Sequence, residues 1–207
     1  MKDSIKYPKQ AKTLLDLLEK DQADLKQLAK VHYSKVPRSQ YIELDNAYNS
    51  RSAEREKQML AILSEVKSPT IANIGSQASE AIAVIALHSD LETMKTVLKR
   101  FKASNTDYVL SVIPALEDKV NIFEGRTQKF GTQWLEGEDG KPFLYPIEDF
   151  SKVNDLRKGY GLDALKWPRI MVEHSNTPTP IKKLSVNDQR LPTEKELRRF
   201  KGEIEYE

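Results

Sequence analysis

The 207-residue sequence predicts a mainly α fold, a helical bundle or stacked helical hairpins with one inserted β-hairpin, and three observations carry that expectation. Apolar residues keep a helical period through most of the chain before residue 123. Beyond Gly125 the pattern changes to two short aromatic-rich runs around Glu136-Gly-Glu-Asp-Gly140, whose Asp-Gly favours a hairpin turn. Breakers and cap residues, beginning with Ser68-Pro69-Thr70, divide the helical part into pieces of ordinary length.

Each element follows from its residues. The first helix is expected from Pro8 to Lys30, with Leu14, Leu15, Leu18, Leu25, Leu28 and Ala29 on an apolar stripe and Pro8 tolerated in the first turn. The second is expected over Ser39 to Val66, with Tyr41, Leu44, Tyr48, Met59, Ile62, Leu63 and Val66 on its stripe. Arg51 and Arg55 interrupt that stripe. A buried arginine must be paired, so they read either as ion-pair partners of an acid on a neighbouring helix or as an anion site. Ser76 can cap a third helix, Gln77 to His88, apolar almost all round and therefore central. Ser89-Asp-Leu-Glu92 fits a capping box for a fourth, carrying Leu91, Met94, Val97, Leu98 and Phe101, so the two helices meet at a sharp corner. Asn105-Thr-Asp107 starts a fifth, which Pro114 should kink or restart. The hairpin is expected at about 129–147, with Pro142 and Pro146 confining its second strand to an edge. Ser151 to Lys158 is a short helix closed by glycines. Residues 1–172 thus form the helical domain, and 173–207 a flexible extension with a short helix at about 193–203.

Composition narrows the function classes. Lysine and arginine total 33 against 31 acidic residues, interspersed to a net charge of +2, which provides no strong field for nucleic acid or an anionic membrane. With no cysteine there are neither disulfides nor thiolate metal sites, and the three histidines have no partner at metal-ligand spacing. Phosphate-loop, dinucleotide, zincin and hydrolase motifs are missing, so no cofactor is expected. The N-terminus lacks a signal-like apolar stretch, and the expected location is the cytoplasm.

Two groups of residues are candidates for chemistry. His88 ends the apolar third helix; its ring either answers the last carbonyls or serves as a general acid or base, with Glu80 or Asp90 available to orient it. Gln128 and Gln133, in two Thr-Gln pairs five residues apart, are either solvated loop residues or uncharged groups orienting a polar ligand, with Gly131 allowing close backbone approach. Arg157 suits the end of its short helix.

The ordered segments Ile74-Gly-Ser-Gln-Ala-Ser-Glu-Ala81, Leu87-His-Ser-Asp90, Leu116-Glu-Asp-Lys-Val120, Glu124-Gly-Arg-Thr-Gln128, Phe130-Gly-Thr-Gln133, Pro146-Ile-Glu-Asp149 and Arg157-x-x-x-Gly-Leu162 resemble a bacterial family of unknown function. That family carries a Gln-His-Ala-Asp corner, an Asp-Arg-Val segment, a Gln-x-Tyr-Gly-Thr-Gln motif and an Arg-x-x-x-Gly-Leu ending. The likeness covers about residues 74 to 165. This chain departs from it at Leu87, Ser89, Lys119 and Phe130, and Lys119 keeps the charge of an arginine without its planar fork. The resemblance implies that His88, Asp90, Asp118, Gln128, Gly131, Thr132, Gln133 and Arg157 fall on the family's polar positions, which in loops and corners point to a site. The resulting expectation is a cleft for a small polar ligand, with His88 and Asp118 as catalytic groups and Gln128, Gly131, Thr132, Gln133 and Arg157 as ligand-binding ones. The alternative is a non-enzymatic adaptor that docks Leu197, Phe200 and Ile204 of the C-terminal helix on a protein partner.

Overall fold

A computed structural model describes residues 5–31, 36–104, 108, 111–136, 142–145 and 147–165. The expected C-terminal helix lies outside them, as does the expected helix start at Asn105. Among the described residues the fold is mainly helical, with seven helices. The chain divides into two compact units, Met1–Leu116 and Glu117–Glu207.

The first unit holds α1 (Pro8–Lys30), α2 (Arg38–Val66), the one-turn α3 (Ile71–Ile74), α4 (Ser76–Leu87) and α5 (Leu91–Lys102). Its α1 packs against α2 and α4, and α4 against α5. The core takes Met59, Leu63 and Val66 of α2 and Met94, Val97 and Phe101 of α5 from the expected stripes, but α1 buries Leu14 and Leu17, while Leu15 and Ala29, expected on its stripe, are exposed. Ala81, Ile82, Ala83, Ile85 and Ala86 are all buried as well, which is why α4 needs almost no polar face. The α2–α3 turn is closed by polar side chains. Asn73 donates from its amide to the carbonyls of Val66 and Ser68, answering the end of α2, while the Thr70 hydroxyl accepts from the Asn73 backbone N–H.

Two caps differ from expectation. The residue before α4 is Gly75, at φ 81° and without a side-chain cap, because Ser76 is already the first helical residue. At the α4–α5 corner it is Asp90, not Ser89, that caps: its carboxylate accepts from the Thr93 N–H at 2.7 Å. Ser89 turns back instead and donates to the Ile85 carbonyl, satisfying the end of α4. The corner is therefore capped from both sides.

The boundary between the units falls within α6 (Val112–Phe123). Pro114 lies in its first turn, where the missing N–H costs nothing, and the helix continues unbroken past it. The second unit continues through β1 (Trp134–Glu136), β2 (Pro142–Leu144) and α7 (Val153–Gly159). The strands pair antiparallel with Trp134 opposite Leu144, and residues 137–141 lie outside the described ones. Residues 129–133, expected in the first arm of a long hairpin, do not extend as strand. They wrap around the Asp118 side chain, and Gln128 makes a parallel bridge with Ile147.

Candidate functional site

In the first unit the polar residues meet where α1 passes α2 and the α4–α5 corner. Asp21 falls seven residues after Leu14 on the buried stripe of α1, so its carboxylate is carried into the core at 1% exposure. Its Oδ2 is 2.8 Å from His88 Nδ1 and also accepts from the Gln22 amide. Its Oδ1 lies 3.5 Å from Nη2 of Arg55. Arg55 donates from Nη1 to Asp24 at 2.6 Å, and Arg51 donates from Nε to the same oxygen at 2.9 Å. The arginines that break the stripe of α2 are therefore ion-pair partners of acids on α1, the first of the two readings the sequence allows. Burial pushes the Asp24 carboxyl up, but the hydrogen bonds and charges of Arg51 and Arg55 outweigh it and hold the group below the usual range. Tyr48, beside the cluster, is pushed up to about 12 by burial and by the charge of Asp21.

His88 caps α4 with its backbone, its N–H reaching the Ile85 carbonyl at 3.0 Å. The ring does not answer carbonyls. It takes the Asp21 carboxylate through Nδ1, and the His88 carbonyl accepts from the Ser52 hydroxyl. Glu80 is exposed and Asp90 is occupied as a cap, so the carboxylate that orients the imidazole comes from a helix far away in sequence. The His88 side chain remains 24% exposed, and none of the described residues bonds its Nε2. An imidazole anchored at Nδ1 by a buried carboxylate, with part of its side chain exposed, is an arrangement that general acid–base chemistry uses.

The second unit assembles the remaining sequence candidates. Asp118 is fully buried, and its two oxygens accept from the backbone N–H groups of Lys129, Phe130 and Thr132 at 2.7 to 3.2 Å and from the Thr132 hydroxyl at 2.8 Å. Burial pushes the Asp118 carboxyl up, opposed by these hydrogen bonds. Gly131 sits at φ 65°, a left-handed conformation that lets the chain turn around the carboxylate. Gln128 is also fully buried. Its amide donates to the carbonyls of Tyr145 at 2.6 Å and Gln133 at 3.3 Å, and its Oε1 accepts from the Gln133 N–H at 2.9 Å. Both amide hydrogens thus go to backbone carbonyls, and the side-chain carbonyl takes one backbone N–H. The Gln133 side chain donates to the Thr132 hydroxyl. Arg157 donates from Nη1 to the Phe130 carbonyl at 2.7 Å and from Nε to that of Asp163 at 2.6 Å, so it fastens the same loop. The ring of Tyr160 meets Phe130 edge-on. Lys119, the next residue on α6 after Asp118, is pulled down to about 8 by burial, with its amine 5.7 Å from the centre of the Phe123 ring.

Asp118, Gln128, Gly131, Thr132, Gln133 and Arg157 are thereby brought together, but as a carboxylate- and amide-centred turn. His88 belongs to the first unit, with Asp21 as a partner the sequence candidates did not include. Among the described residues there is no group of three or more His, Cys, Asp or Glu placed to hold a metal ion, and no helix is long and apolar enough to cross a membrane. No family model, curated protein or solved structure matches the chain.

Proposed function

We propose that the first unit binds a small polar ligand and that His88 acts on it as a general acid or base, with Asp21 as the residue that orients the ring. The observation that carries this reading is the 2.8 Å contact between His88 Nδ1 and a carboxylate that is 1% exposed. A buried carboxylate fixes the tautomer and orientation of its imidazole and leaves the opposite nitrogen to exchange protons with whatever approaches. The Asp118–Gln128 turn is taken as a scaffold of the second unit alone, and the two short strands as arms of one inserted hairpin. Membership of the bacterial family with the Gln-His-Ala-Asp corner is part of the same proposal.

Carbethoxylation of the imidazole by diethyl pyrocarbonate, followed by mass spectrometry, tests it without knowledge of the substrate. His88 is expected to react faster than N-acetylhistidine, and D21N to slow it by about a hundredfold, the lower end of the range a positioned acid–base group contributes. A His88 that reacts no faster than the free amino acid derivative, or is indifferent to D21N, overturns the reading.

A further inference from the structure

Three buried polar atoms of the first unit have no hydrogen-bond partner among the described residues: Asp21 Oδ1, Arg55 Nε and Arg55 Nη2. They belong to one place. Nε and Nη2 form one edge of the planar guanidinium, the edge that presents two parallel N–H groups. Asp21 Oδ1 lies 3.5 Å from Nη2, too far for a hydrogen bond and close enough that one additional atom can touch all three. The third guanidinium nitrogen, Nη1, is committed to Asp24, and the Tyr48 ring lies 5.7 Å from the guanidinium carbon.

The three atoms define what suits them. An occupant has to accept from two N–H groups and donate to a carboxylate oxygen. A carboxylate oxygen satisfies the fork but has nothing to donate, and a carboxylate or a phosphate, even one that keeps a P–OH, brings its charge against Asp21. An ammonium group can donate to Asp21 but cannot accept, and it faces the guanidinium charge. A neutral hydroxyl oxygen accepts and donates at once. We infer that the Arg55–Asp21 edge is a binding point for a neutral hydroxyl oxygen, supplied by a bound water or by a hydroxyl-bearing ligand. The second source rests on the His88 reading and names its ligand class: because Asp21 also holds His88, a hydroxyl seated on its Oδ1 belongs to a neutral polyol or alcohol rather than to a carboxylic or phosphoric acid.

The side-chain Nε–H resonance of Arg55 in ¹⁵N-arginine-labelled full-length protein reports on this point. It is assigned by its disappearance in R55K or, where that variant does not fold, by its perturbation in R51K, whose side chain is half exposed. The expected result is direct cross-relaxation between this N–H and a long-lived bound water, or a saturable shift on titration with glycerol. The first identifies water as the source and the second a ligand hydroxyl. Acetate and inorganic phosphate, added at the same ionic strength, should leave the signal in place. A saturable shift with either anion, or an Arg55 N–H that contacts neither water nor glycerol, overturns the inference. The carbethoxylation of His88 is read separately, so a failed proton-transfer reading and a failed hydroxyl point give different patterns.

Discussion

Both polar clusters are centred on a carboxylate removed from solvent, Asp21 in the first unit and Asp118 in the second, yet the groups that answer them differ in kind. Asp118 is met by three backbone N–H groups and one hydroxyl from residues 11 to 14 positions ahead. Asp21 is met by the side chains of His88, 67 residues away, and of Arg55. A carboxylate answered by backbone fixes the path of the chain. One answered by titratable or charged side chains keeps chemistry available, because those side chains have a second end. This contrast separates a structural polar centre from a candidate reactive one.

The strongest test of the contrast is D118A. Removing the acceptor strands several buried backbone donors at once and should cost about 3 to 5 kcal/mol, read by urea unfolding, with amide exchange accelerated at residues 129, 130 and 132. A cost within about 1 kcal/mol would place Asp118 among ordinary surface-like carboxylates and erase the distinction. Next comes Q128A, which unpairs the Gln133 N–H and the Tyr145 carbonyl and should cost about 2 kcal/mol in the same assay, while leaving His88 carbethoxylation unchanged.

The pH response sharpens the comparison because Asp24 in the first unit and Asp118 in the second have opposite signs. Asp24 titrates below its ordinary value, so its contribution to stability is complete above the unfolded value of 3.8 and is lost as pH falls through the folded one. Asp118 titrates above its ordinary value, so its contribution is present below 3.8 and is lost as pH rises through the folded value. Lys119, lowered to about 8, contributes stability that is complete above 10.5 and lost as pH falls through about 8. Exchange measured region by region is expected to show acid weakening the α1–α2 contact, a slope that D24N removes. Alkali should strengthen α6 and its loop, a slope that K119M removes. Equal slopes in the two regions through the acid range, where Asp24 and Asp118 respond in opposite directions, would contradict the assignment. The smallest effect is that of R51A: with the arginine side chain 50% exposed, losing its bond to Asp24 should cost only about 0.5 kcal/mol by thermal unfolding.

The helices were legible because their stripes are long, and Arg55 was legible because a charge on an apolar stripe requires a partner. The same signal was present in Asp21, which falls midway between Leu14 and Leu28 on α1, and it identifies the partner once the two stripes are set side by side. That Asp21 also serves His88 was not legible, since nothing local links residues 21 and 88. The capping shift from Ser89 to Asp90 is a choice between adjacent competent side chains that only the backbone geometry decides. Gln128 and Gln133 stood out as oddities of spacing. Their meaning depended on the Asp118 turn that brings the backbone of one within reach of the side chain of the other.

Gln128 carries one more consequence. Its backbone carbonyl accepts from the Glu148 N–H at 2.8 Å, and its side-chain amide copies a peptide group toward Gln133 and Tyr145. One residue thus stands in for a strand between two passes of the chain. The spacer at 129–132 is thereby held to a fixed length, although surface loops elsewhere absorb insertions at little cost. A single residue added or deleted there would pull the copied peptide group out of register, while a change of equal size in the 103–111 connection would not touch these bonds.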